Sequence, residues 1–405
     1  MKLDIKKTFL LGLGFFSVSL VWPLYNVYVP LFLRDFLDSQ FQINAIMTLD
    51  NILAVSLIPF VAAMSDRTHT RFGRRMPYLM VGIPLSAVAF ILLPNYTSFF
   101  NFMLIITVLN FAMAIFRAPT VALMPDITPA PLRSEANGII NFMGGLASVF
   151  VLIGGAMLYK ANHNYPFVFT AIMMILALLM LLKFIKEPAI GEKAAEEKIS
   201  LISSVKELLQ DSDRTTLYIL LAIFFWFVGY QGVEATFSNY CVHFLGLEAS
   251  DASLILGFFA LSFLIFAIPA GFIGTKLGKR KTILIGLVGD IFVFLLLATV
   301  GTLFPFNQIL MMGLMLIGGF FWALININSY PMVVERTSEA KIGIYTGLYY
   351  FSSSLAAITG PLFIGGLIDL ISFKVTFVFT AFAYLLAWIF IKQTKVNTKL
   401  NHHSV

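Results

Sequence analysis

The stretch YPFVFTAIMMILALLMLLKFI, residues 165–185, decides the fold class of this chain. It is an almost unbroken apolar run, and its one charged residue, Lys183, lies near its end. An α-helix of about 20 apolar residues crosses the ~30 Å hydrocarbon core of a bilayer. The stretch therefore predicts a transmembrane helix.

Apolar runs of this kind recur from end to end of the 405 residues, which are 59% hydrophobic and only 12% charged. Such a composition excludes a water-soluble domain, because soluble proteins carry about one quarter charged residues. The sequence predicts an all-α membrane protein with twelve transmembrane helices, at residues 9–32, 42–63, 77–95, 100–122, 137–159, 165–185, 215–241, 251–274, 282–303, 307–334, 343–369 and 374–392.

The basic residues predict the orientation of the chain in the membrane. Of 27 Lys and Arg residues, 23 fall in alternate loops and at the two ends of the chain. Only Arg34, Lys160 and Lys374 fall in the other loops, and Arg117 lies within a span. Basic residues concentrate in short cytoplasmic loops, so both termini are expected in the cytoplasm and the protein in the cell membrane. The net charge of +6 is thus a topology signal and predicts no nucleic-acid partner.

The spans are expected to form two pseudo-symmetric six-helix halves, 1–185 and 214–393. A hydrophilic linker at 186–213 separates them, and 394–405 is a cytoplasmic tail. Three groups of residues recur at offsets between 204 and 210. Such an internal repeat is typical of transporters whose substrate site lies between two related halves. The paired groups are Trp22, Tyr25 and Asn26 with Trp226, Tyr230 and Gln231; Pro59 and 73–75 with Pro269 and 278–281; and Pro125 and Arg133 with Pro331 and Lys341.

Two loop motifs carry a family resemblance. The first is SDRTHTRFGRRMPY at 65–78, and the second is RAPTVALMPDITP at 117–129, followed by LRSEANG at 132–138. Both resemble the major facilitator superfamily, and within it the sucrose:proton symporters and the related glycoside–pentoside–hexuronide cation symporters. The resemblance implies that this fold moves a sugar or glycoside by alternating access. Sodium-coupled members carry paired aspartates where this chain has Ala54 and Ile58, so a proton is the expected coupling ion.

The first motif predicts a charge latch on the cytoplasmic face. Asp66 at the end of a span can pair with Arg67, Arg71 or Arg74 and with the ends of neighbouring helices. The predicted latch also includes Gly73 and Arg75. The alternative is that these arginines serve only as positive-inside residues.

Four ionisable residues lie within predicted spans, where a charge is costly and marks either function or pairing. Asp50 is expected to carry the coupling proton, and Glu234 is the second proton or hydroxyl-binding candidate. The alternatives are helix capping or a structural ion pair for Asp50 and an interfacial position for Glu234. Arg117 is expected to tune a carboxylate or bind an acidic substrate, or else to reach water as a snorkelling side chain. Asp290 is expected to pair with a basic residue of a cytoplasmic loop and is left out of the site.

Sugar recognition combines aromatic faces with amide or carboxylate partners in an apolar pocket. Most rings of this aromatic-rich chain are nevertheless expected to pack between helices or to face lipid. Asn326 and Asn328 lie 200° apart on a helix, so only one of them is expected at a cavity. The predicted substrate-binding residues are Trp22, Tyr25, Asn26, Asn51, Tyr230, Gln231, Trp322 and Asn326.

The sequence therefore predicts a monomeric, proton-coupled symporter for a small polar solute, with a sugar as the leading candidate. Efflux of amphipathic compounds and lysolipid transport are alternatives on the same fold, and a non-transporting membrane sensor or assembly factor is an alternative of another class. No cofactor, metal site or enzymatic activity is expected. The single Cys241 and the scattered histidines form no metal motif, and no phosphate-binding GxxxxGK[ST] loop is present.

Overall fold

The computed structural model describes residues 3–129, 132–187, 214–300, 302–335 and 342–394. Most of the predicted linker and all of the tail beyond Thr394 lie outside these residues, as do several predicted cytoplasmic basic residues such as Lys2, Arg336 and Lys341. The described chain is nearly all helical, and twelve of its helices are long and apolar enough to cross a membrane. The predicted all-α membrane fold is confirmed.

The helices follow the predicted spans closely, because each apolar run ends where turn-forming or charged residues begin. In chain order they are α1 (Ile5–Arg34), α2 (Gln40–Met47), α3 (Leu49–Arg67), α4 (Met76–Leu92), α5 (Phe99–Ile127), α6 (Arg133–Val149), α7 (Gly155–Ala161), α8 (Tyr165–Phe184), α9 (Thr215–Asn239), α10 (Ala249–Leu277), α11 (Lys279–Thr299), α12 (Gln308–Val334), α13 (Ile342–Leu370) and α14 (Val375–Gln393).

Several spans depart from a single regular helix, among them the seventh, which ends in a π-helical turn at Tyr240–Phe244. The second span is broken at Thr48, between α2 and α3, and the fifth contains a π-helical turn at Phe150–Gly154. The ninth ends at Thr299, short of the predicted 303, because the Thr299 carbonyl accepts the N–H groups of Leu303 at 2.9 Å and Phe304 at 3.1 Å. Irregular backbone at membrane depth is tolerated only where the protein satisfies it, so these breaks mark positions with a specific role.

The chain divides into two compact units, of which the first comprises Met1–Asp38, Ile46–Ala195 and Cys241–Ala260. In this unit α1 packs against α6 and α8, and α5 packs against α3 and α4. Its aromatic core is centred on Tyr28, whose ring stacks on Tyr159 at 4.4 Å and meets Phe167 edge-on at 5.5 Å. The outer surfaces of these helices are apolar as well, so hydrophobicity alone does not decide which helices pack together. The fit of the side chains at the helix contacts decides it.

The second unit comprises Ser39–Ala45, Glu196–Tyr240 and Leu261–Val405. Here α9 packs against α13 and α14, and α11 packs against α12 and α14. Glycines allow close approach: a Cβ on Gly360 would meet the carbonyl oxygen of Val228, and one on Gly229 would meet the Tyr384 ring. The start of α2 is held in this unit by Asp369, whose carboxylate accepts the N–H of Gln40 at 2.7 Å.

The structure repeats one local feature at the offset that the sequence indicates. Gly73 and Gly278, 205 residues apart, adopt φ angles of 105° and 84° just before α4 and α11. An arginine that follows each glycine donates a hydrogen bond to a distant residue. The backbone N–H of Arg75 donates to the Glu187 carboxylate, and the side chain of Arg280 donates to the Lys392 carbonyl at 2.8 Å. Each pair joins the start of one helix to the end of the helix three spans later. The recurrence is consistent with a duplicated unit.

Candidate functional site

Asp50 lies in the first turn of α3, immediately after the break at Thr48. Its Oδ1 accepts the N–H of Asn51 at 2.6 Å and the Asn51 side-chain Nδ2 at 2.9 Å. The positive end of a helix dipole and unpaired N–H groups favour an anion at this position. The break therefore places a carboxylate, half-buried, at the start of a helix inside a membrane span.

The first unit brings three further predicted residues to Asp50. Arg117 of α5 lies within electrostatic range of the carboxylate, and its guanidinium carbon is 6.0 Å from the centre of the Trp22 ring. Trp22 meets Tyr25 edge-on at 5.6 Å, and Tyr25 is also within electrostatic range of Asp50. One carboxylate, one cation and two rings from α1, α3 and α5 thus form one cluster, named here the Asp50 cluster.

The members of the Asp50 cluster and the neighbouring Asn26 differ in how deeply they are buried. Tyr25 is wholly buried, and its hydroxyl accepts a hydrogen bond from Asn110 Nδ2 at 3.2 Å, so it is fixed in the helix packing. Arg117 is exposed, and Asn26 is half-buried. The Trp22 indole Nε1 is buried and has no hydrogen-bond partner among the described residues. An unpaired buried donor is rare, and a solute oxygen or a water would satisfy it.

The second unit places two predicted aromatic residues face to face. The rings of Tyr230 on α9 and Trp322 on α12 are parallel, with centroids 4.3 Å apart. Glu234, one helical turn beyond Tyr230, lies within electrostatic range of it, and Tyr384 lies 6.4 Å from Trp322. This group of four residues is named here the Trp322 cluster. Gln231 follows Tyr230 directly and is half-buried, with no described contact that defines its role.

The two asparagines of α12 have different surroundings. Asn328 is buried and its Nδ2 donates to the Ala270 carbonyl at 3.1 Å and to the Leu324 carbonyl at 2.9 Å. Asn326 is half-buried and lies on a different side of the helix. Asn328 therefore ties α12 to α10, and Asn326 is the asparagine left for another role.

The arginines of the first loop motif form a cluster with two aspartates. Arg74 Nη2 lies 2.7 Å from Asp126 Oδ1, and Arg75 Nε donates to Asp126 Oδ2 at 2.9 Å. Arg75 also pairs with Asp66 and donates to the Ser65 hydroxyl. Of the charged side chains in this set, Asp126 is the most enclosed, with 3% of its side chain exposed. This set, together with Glu187, is named here the arginine cluster.

Of the three arginines expected to pair with Asp66, Arg74 lies within ion-pair distance, but the shortest contact of Asp66 is with Arg75. Asp66 pairs closely with Arg75 and is 4.0 Å from Arg74. Arg67 and Arg71 are exposed and lie outside the arginine cluster, and Arg71 sits over the Phe72 ring at 4.6 Å. Residues on the loop itself can turn to water, whereas Arg75 is held at the start of α4 beside the end of α3. Helix position therefore decides which arginine is paired.

Glu187 is a member of the arginine cluster that sequence reasoning assigned only to the linker. Its carboxylate accepts the backbone N–H of Arg75 at 2.9 Å and also the N–H of Arg74. Burial raises the pKa of the Glu187 carboxyl above its ordinary value, while these N–H groups and the charge of Arg75 act in the opposite direction. The sequence does show a carboxylate shortly after an apolar span, which could have marked Glu187 as a residue of interest. It does not show the partner, because that partner lies more than 100 residues away in the chain.

The second loop motif is explained by the ends of α5 and α6. Asp126 near the end of α5 receives the two arginines of the arginine cluster. Arg133 at the start of α6 donates to the Pro125 carbonyl at 2.8 Å and to the Thr128 carbonyl at 3.2 Å. These carbonyl groups have lost their helical partners, so a cation there completes the end of α5.

Asp290 does not have the basic partner that the sequence led us to expect. Both carboxylate oxygens lack a hydrogen-bond partner among the described residues, and the side chain is buried. The basic residues at the start of α11 are engaged elsewhere: Lys279 binds Glu335 at 2.6 Å, and Arg280 donates to the Lys392 carbonyl. Asp290 lies too far along α11 to reach them, so the expected pairing is wrong.

A cavity of about 340 Å³ lies in the first unit, away from the predicted residues. Its walls are almost entirely apolar and come from the π-helical turn, α7 and α8. Within the described part of the chain, no group of three or more His, Cys, Asp or Glu residues could hold a metal ion.

Comparison with known families gives one match that covers nearly the whole chain. The model of the Major Facilitator Superfamily matches residues 11–250 and, a second time, residues 235–402. Two matches of about half the chain each agree with the repeated loop features.

Several characterised proteins are similar to this chain at the level of sequence. The isoprimeverose transporter of Lactiplantibacillus pentosus is 26% identical over 308 residues, which cover 68% of this chain and 60% of that protein. The class H tetracycline resistance protein of Pasteurella multocida is 24% identical over 304 residues, 70% of each chain. The cis,cis-muconate transport protein of Acinetobacter baylyi is 24% identical over 283 residues, 67% of each.

Solved structures share the fold over the full length. The nucleoside transporter NupG superposes with a TM-score of 0.75 at 16% identity, covering 98% of this chain and 100% of that one. A POT family transporter in complex with 5-aminolevulinic acid also gives 0.75, at 14% identity, and covers 96% of each chain. This likeness concerns the fold.

Proposed function

Because this chain belongs to the Major Facilitator Superfamily and is a membrane transporter of that type, we propose that it carries a sugar or glycoside across the cell membrane together with a proton. The proposed residues are the Asp50 cluster with Asn26 and Asn51 in the first unit and, separately, the Trp322 cluster with Gln231 and Asn326 in the second unit. Both termini lie in the cytoplasm, the protein acts as a monomer in the bilayer, and it uses no cofactor.

The observation that carries this proposal is the position of Asp50. Its carboxylate is half-buried at a helix break inside a membrane span, within electrostatic range of Arg117. An ionisable side chain at such a depth is costly and is by default a functional candidate. A proton on Asp50 removes the attraction to Arg117, which gives the cluster two distinct electrostatic states. Coupling requires a group with two such states.

Sugar recognition is supported by side-chain chemistry within each of the two units. The unpaired Trp22 indole N–H is a donor for a hydroxyl oxygen, and the Tyr230 and Trp322 rings supply flat apolar faces. Aromatic faces pack against the C–H surface of a sugar, while a few placed polar groups orient its hydroxyls. The similarity to a protein named for isoprimeverose transport points in the same direction.

The test is the pH of a weakly buffered suspension of de-energised cells that express the protein. Disaccharides, glycosides and monosaccharides are added one at a time, and symport draws protons inward and makes the medium alkaline. We expect a response to at least one sugar, abolished in Asp50→Asn and reduced in Glu234→Gln. Asp38→Asn, which changes an exposed loop carboxylate, serves as the matched control and should respond like wild type. No response to any sugar, with membrane insertion verified, contradicts symport of the sugars tested.

Efflux of amphipathic compounds is the second candidate, favoured by the similarity to the class H tetracycline resistance protein. Exchange of a proton for a cationic or amphipathic solute would use the same Asp50 cluster. It would rely on the aromatic bulk of the Trp322 cluster more than on Asn26, Asn51 or Asn326. Energised cells that exclude a dye or antibiotic only when they express the protein, and that take up no sugar, support efflux over sugar symport.

A further inference from the structure

Asp290 occupies the middle of α11, a 21-residue helix that carries no other acidic residue. It belongs to the buried stripe of that helix, with Gly286 one turn before it and Phe294 one turn after it. At ~1.5 Å per residue, Asp290 lies about 16 Å along the helix from Lys279, beyond the reach of a side chain at that end. The carboxyl group is therefore in the centre of the span.

The surroundings of Asp290 are apolar and close-packed. The residue is 1% exposed, and neither carboxyl oxygen has a partner in the described residues. On the α12 side, a Cβ added to Gly286 would meet Ile325, and one added to Gly289 would meet the Phe321 ring. A charge without a partner in such a place is strongly disfavoured, because neither water nor an opposite charge compensates for it.

The titratable groups that face Asp290 are few. Of the two helices that pack against α11, α12 contains only Tyr330 and α14 contains Tyr384 and Lys392. Tyr330 and Lys392 lie toward the helix ends, whereas Tyr384 is fully buried and within electrostatic range of Asp290. The Tyr384 ring meets Phe294 edge-on at 5.3 Å, which places it beside the same face of α11. Tyr384 is thus the group through which Asp290 can act on its surroundings.

Tyr384 also belongs to the Trp322 cluster. Its ring centre is 6.4 Å from that of Trp322, and it is within electrostatic range of Tyr230. A change of charge on Asp290 therefore acts, through one buried phenol, on the aromatic pair proposed to bind substrate. The route lies wholly within the second unit.

We propose that Asp290 is a second proton-binding site of this transporter. The carboxyl group holds a proton while α11 is packed against α12 and α14, and it releases that proton to water when the packing opens. This inference rests on the proposed function for its role in coupling, although proton binding itself does not require a substrate. A proton fits the site better than a metal ion, since a metal ion needs several oxygen ligands and the walls named above are apolar.

The first experiment measures protonation directly and uses no substrate. Infrared difference spectra of the purified full-length protein in detergent compare wild type with Asp290→Asn at pH 7. We expect the variant to lack one C=O stretching band of a protonated carboxylic acid. Asp251→Asn, which changes a carboxylate paired with Lys160 at 3.1 Å, should keep that band and serves as the control. Identical C=O bands in wild type and Asp290→Asn would overturn the proposal, because Asp290 would then be ionised.

The second experiment tests coupling in proteoliposomes, with the sugar that gives the alkalinisation response. We expect Asp290→Asn to retain the exchange of internal for external sugar. The extent of sugar accumulation driven by a pH gradient should fall at least tenfold. Accumulation with wild-type extent and pH dependence would overturn the coupling role.

Should Asp290→Asn not fold, Asp290→Glu keeps the carboxylic acid. This variant should shift the infrared C=O band without removing it, and an unshifted band would overturn the assignment. If no sugar is transported, the proposed function fails, while the infrared result still decides whether Asp290 binds a proton.

Discussion

The carboxylate of Glu187 caps the helix that begins after Arg75, accepting the Arg75 backbone N–H at 2.9 Å. The first N–H groups of a helix have no partner within it, and an anion from another element is a favourable substitute. Here the anion comes from the residue that follows the sixth span, and it sits beside the two arginines that bind Asp126. One acidic side chain thus joins the start of α4 to the segment that directly follows α8.

Removing this cap should destabilise the protein. Glu187→Ala leaves the N–H groups of Arg74 and Arg75 without their acceptor, which costs about 1–3 kcal/mol of unfolding free energy. Glu187→Gln keeps an amide oxygen as acceptor and should lose less than Glu187→Ala. Thermal unfolding of the purified protein, followed by tryptophan fluorescence, measures both. Asp38→Ala, which removes an exposed loop carboxylate, is the control and should stay near wild type.

The pH dependence of stability should reveal the burial of Glu187. Burial raises the pKa of its carboxyl above the ordinary 4.5, so the folded state binds this proton more tightly than the unfolded state does. The stability that comes from binding this proton is therefore fully present below pH 4.5 and is lost as the pH rises through the folded-state pKa, while the hydrogen bonds from the Arg74 and Arg75 N–H groups remain. Glu187→Gln has no such proton, so its unfolding temperature relative to wild type should rise from about pH 4.5 to pH 7. A difference that stays constant with pH would contradict the burial of an ionisable group.

Gly73 should tolerate a side chain less well than its counterpart Gly278. Both have positive φ, so alanine introduces backbone strain of about 1 kcal/mol or more at either position. At Gly73 the new Cβ would also collide with the Glu187 carboxylate, whereas at Gly278 nothing lies within 4 Å. Gly73→Ala should therefore lower the unfolding temperature more than Gly278→Ala does. Equal losses in the two variants would mean that Glu187 yields to the methyl group at no cost.

The two asparagines of α12 should separate stability from transport. Asn328→Ala removes two buried side-chain hydrogen bonds, to the Ala270 and Leu324 carbonyl groups, and should cost about 1–3 kcal/mol of unfolding free energy. Asn326→Ala should change stability by about 0.5 kcal/mol or less, because that residue is half-buried, and should instead weaken transport. Unfolding and uptake measured on the same preparations test both statements. If Asn326→Ala lowered stability and Asn328→Ala weakened transport instead, the roles assigned to the two residues would be wrong.

The stacked pair of the Trp322 cluster should matter for substrate affinity. Tyr230→Leu removes an aromatic face, and a loss of ~1–1.5 kcal/mol raises the KM of uptake by about tenfold. Tyr230→Phe keeps the ring and should have a smaller effect. Phe225 also stacks, on Phe390 at 5.6 Å, but outside the proposed site. Phe225→Leu is therefore the matched control, and a KM increase as large as that of Tyr230→Leu would show that the effect is not specific to the cluster.

Much of the fold follows from local properties of the sequence. The run at 165–185 predicts a spanning helix, and α8 occupies Tyr165–Phe184. Such agreement is possible because a membrane helix satisfies its backbone within itself, so length and hydropathy suffice. The glycines at 73 and 278 were likewise visible as turns, since positive φ favours glycine. The break at Thr48 was not visible, because no Gly or Pro marks it.

What the sequence by itself determined is therefore the membrane class, the number and approximate positions of the spans, the repeat and the residue types available for chemistry. Only the tertiary structure decided which residues meet. Asp66 pairs with Arg75 and not with the nearer Arg67, Glu187 joins a helix start 112 residues away, and Asp290 is left without the expected partner. The physical reason is range: helix formation in a bilayer depends on consecutive residues, whereas ion pairs and buried charges depend on distances between helices that the order of residues does not encode locally.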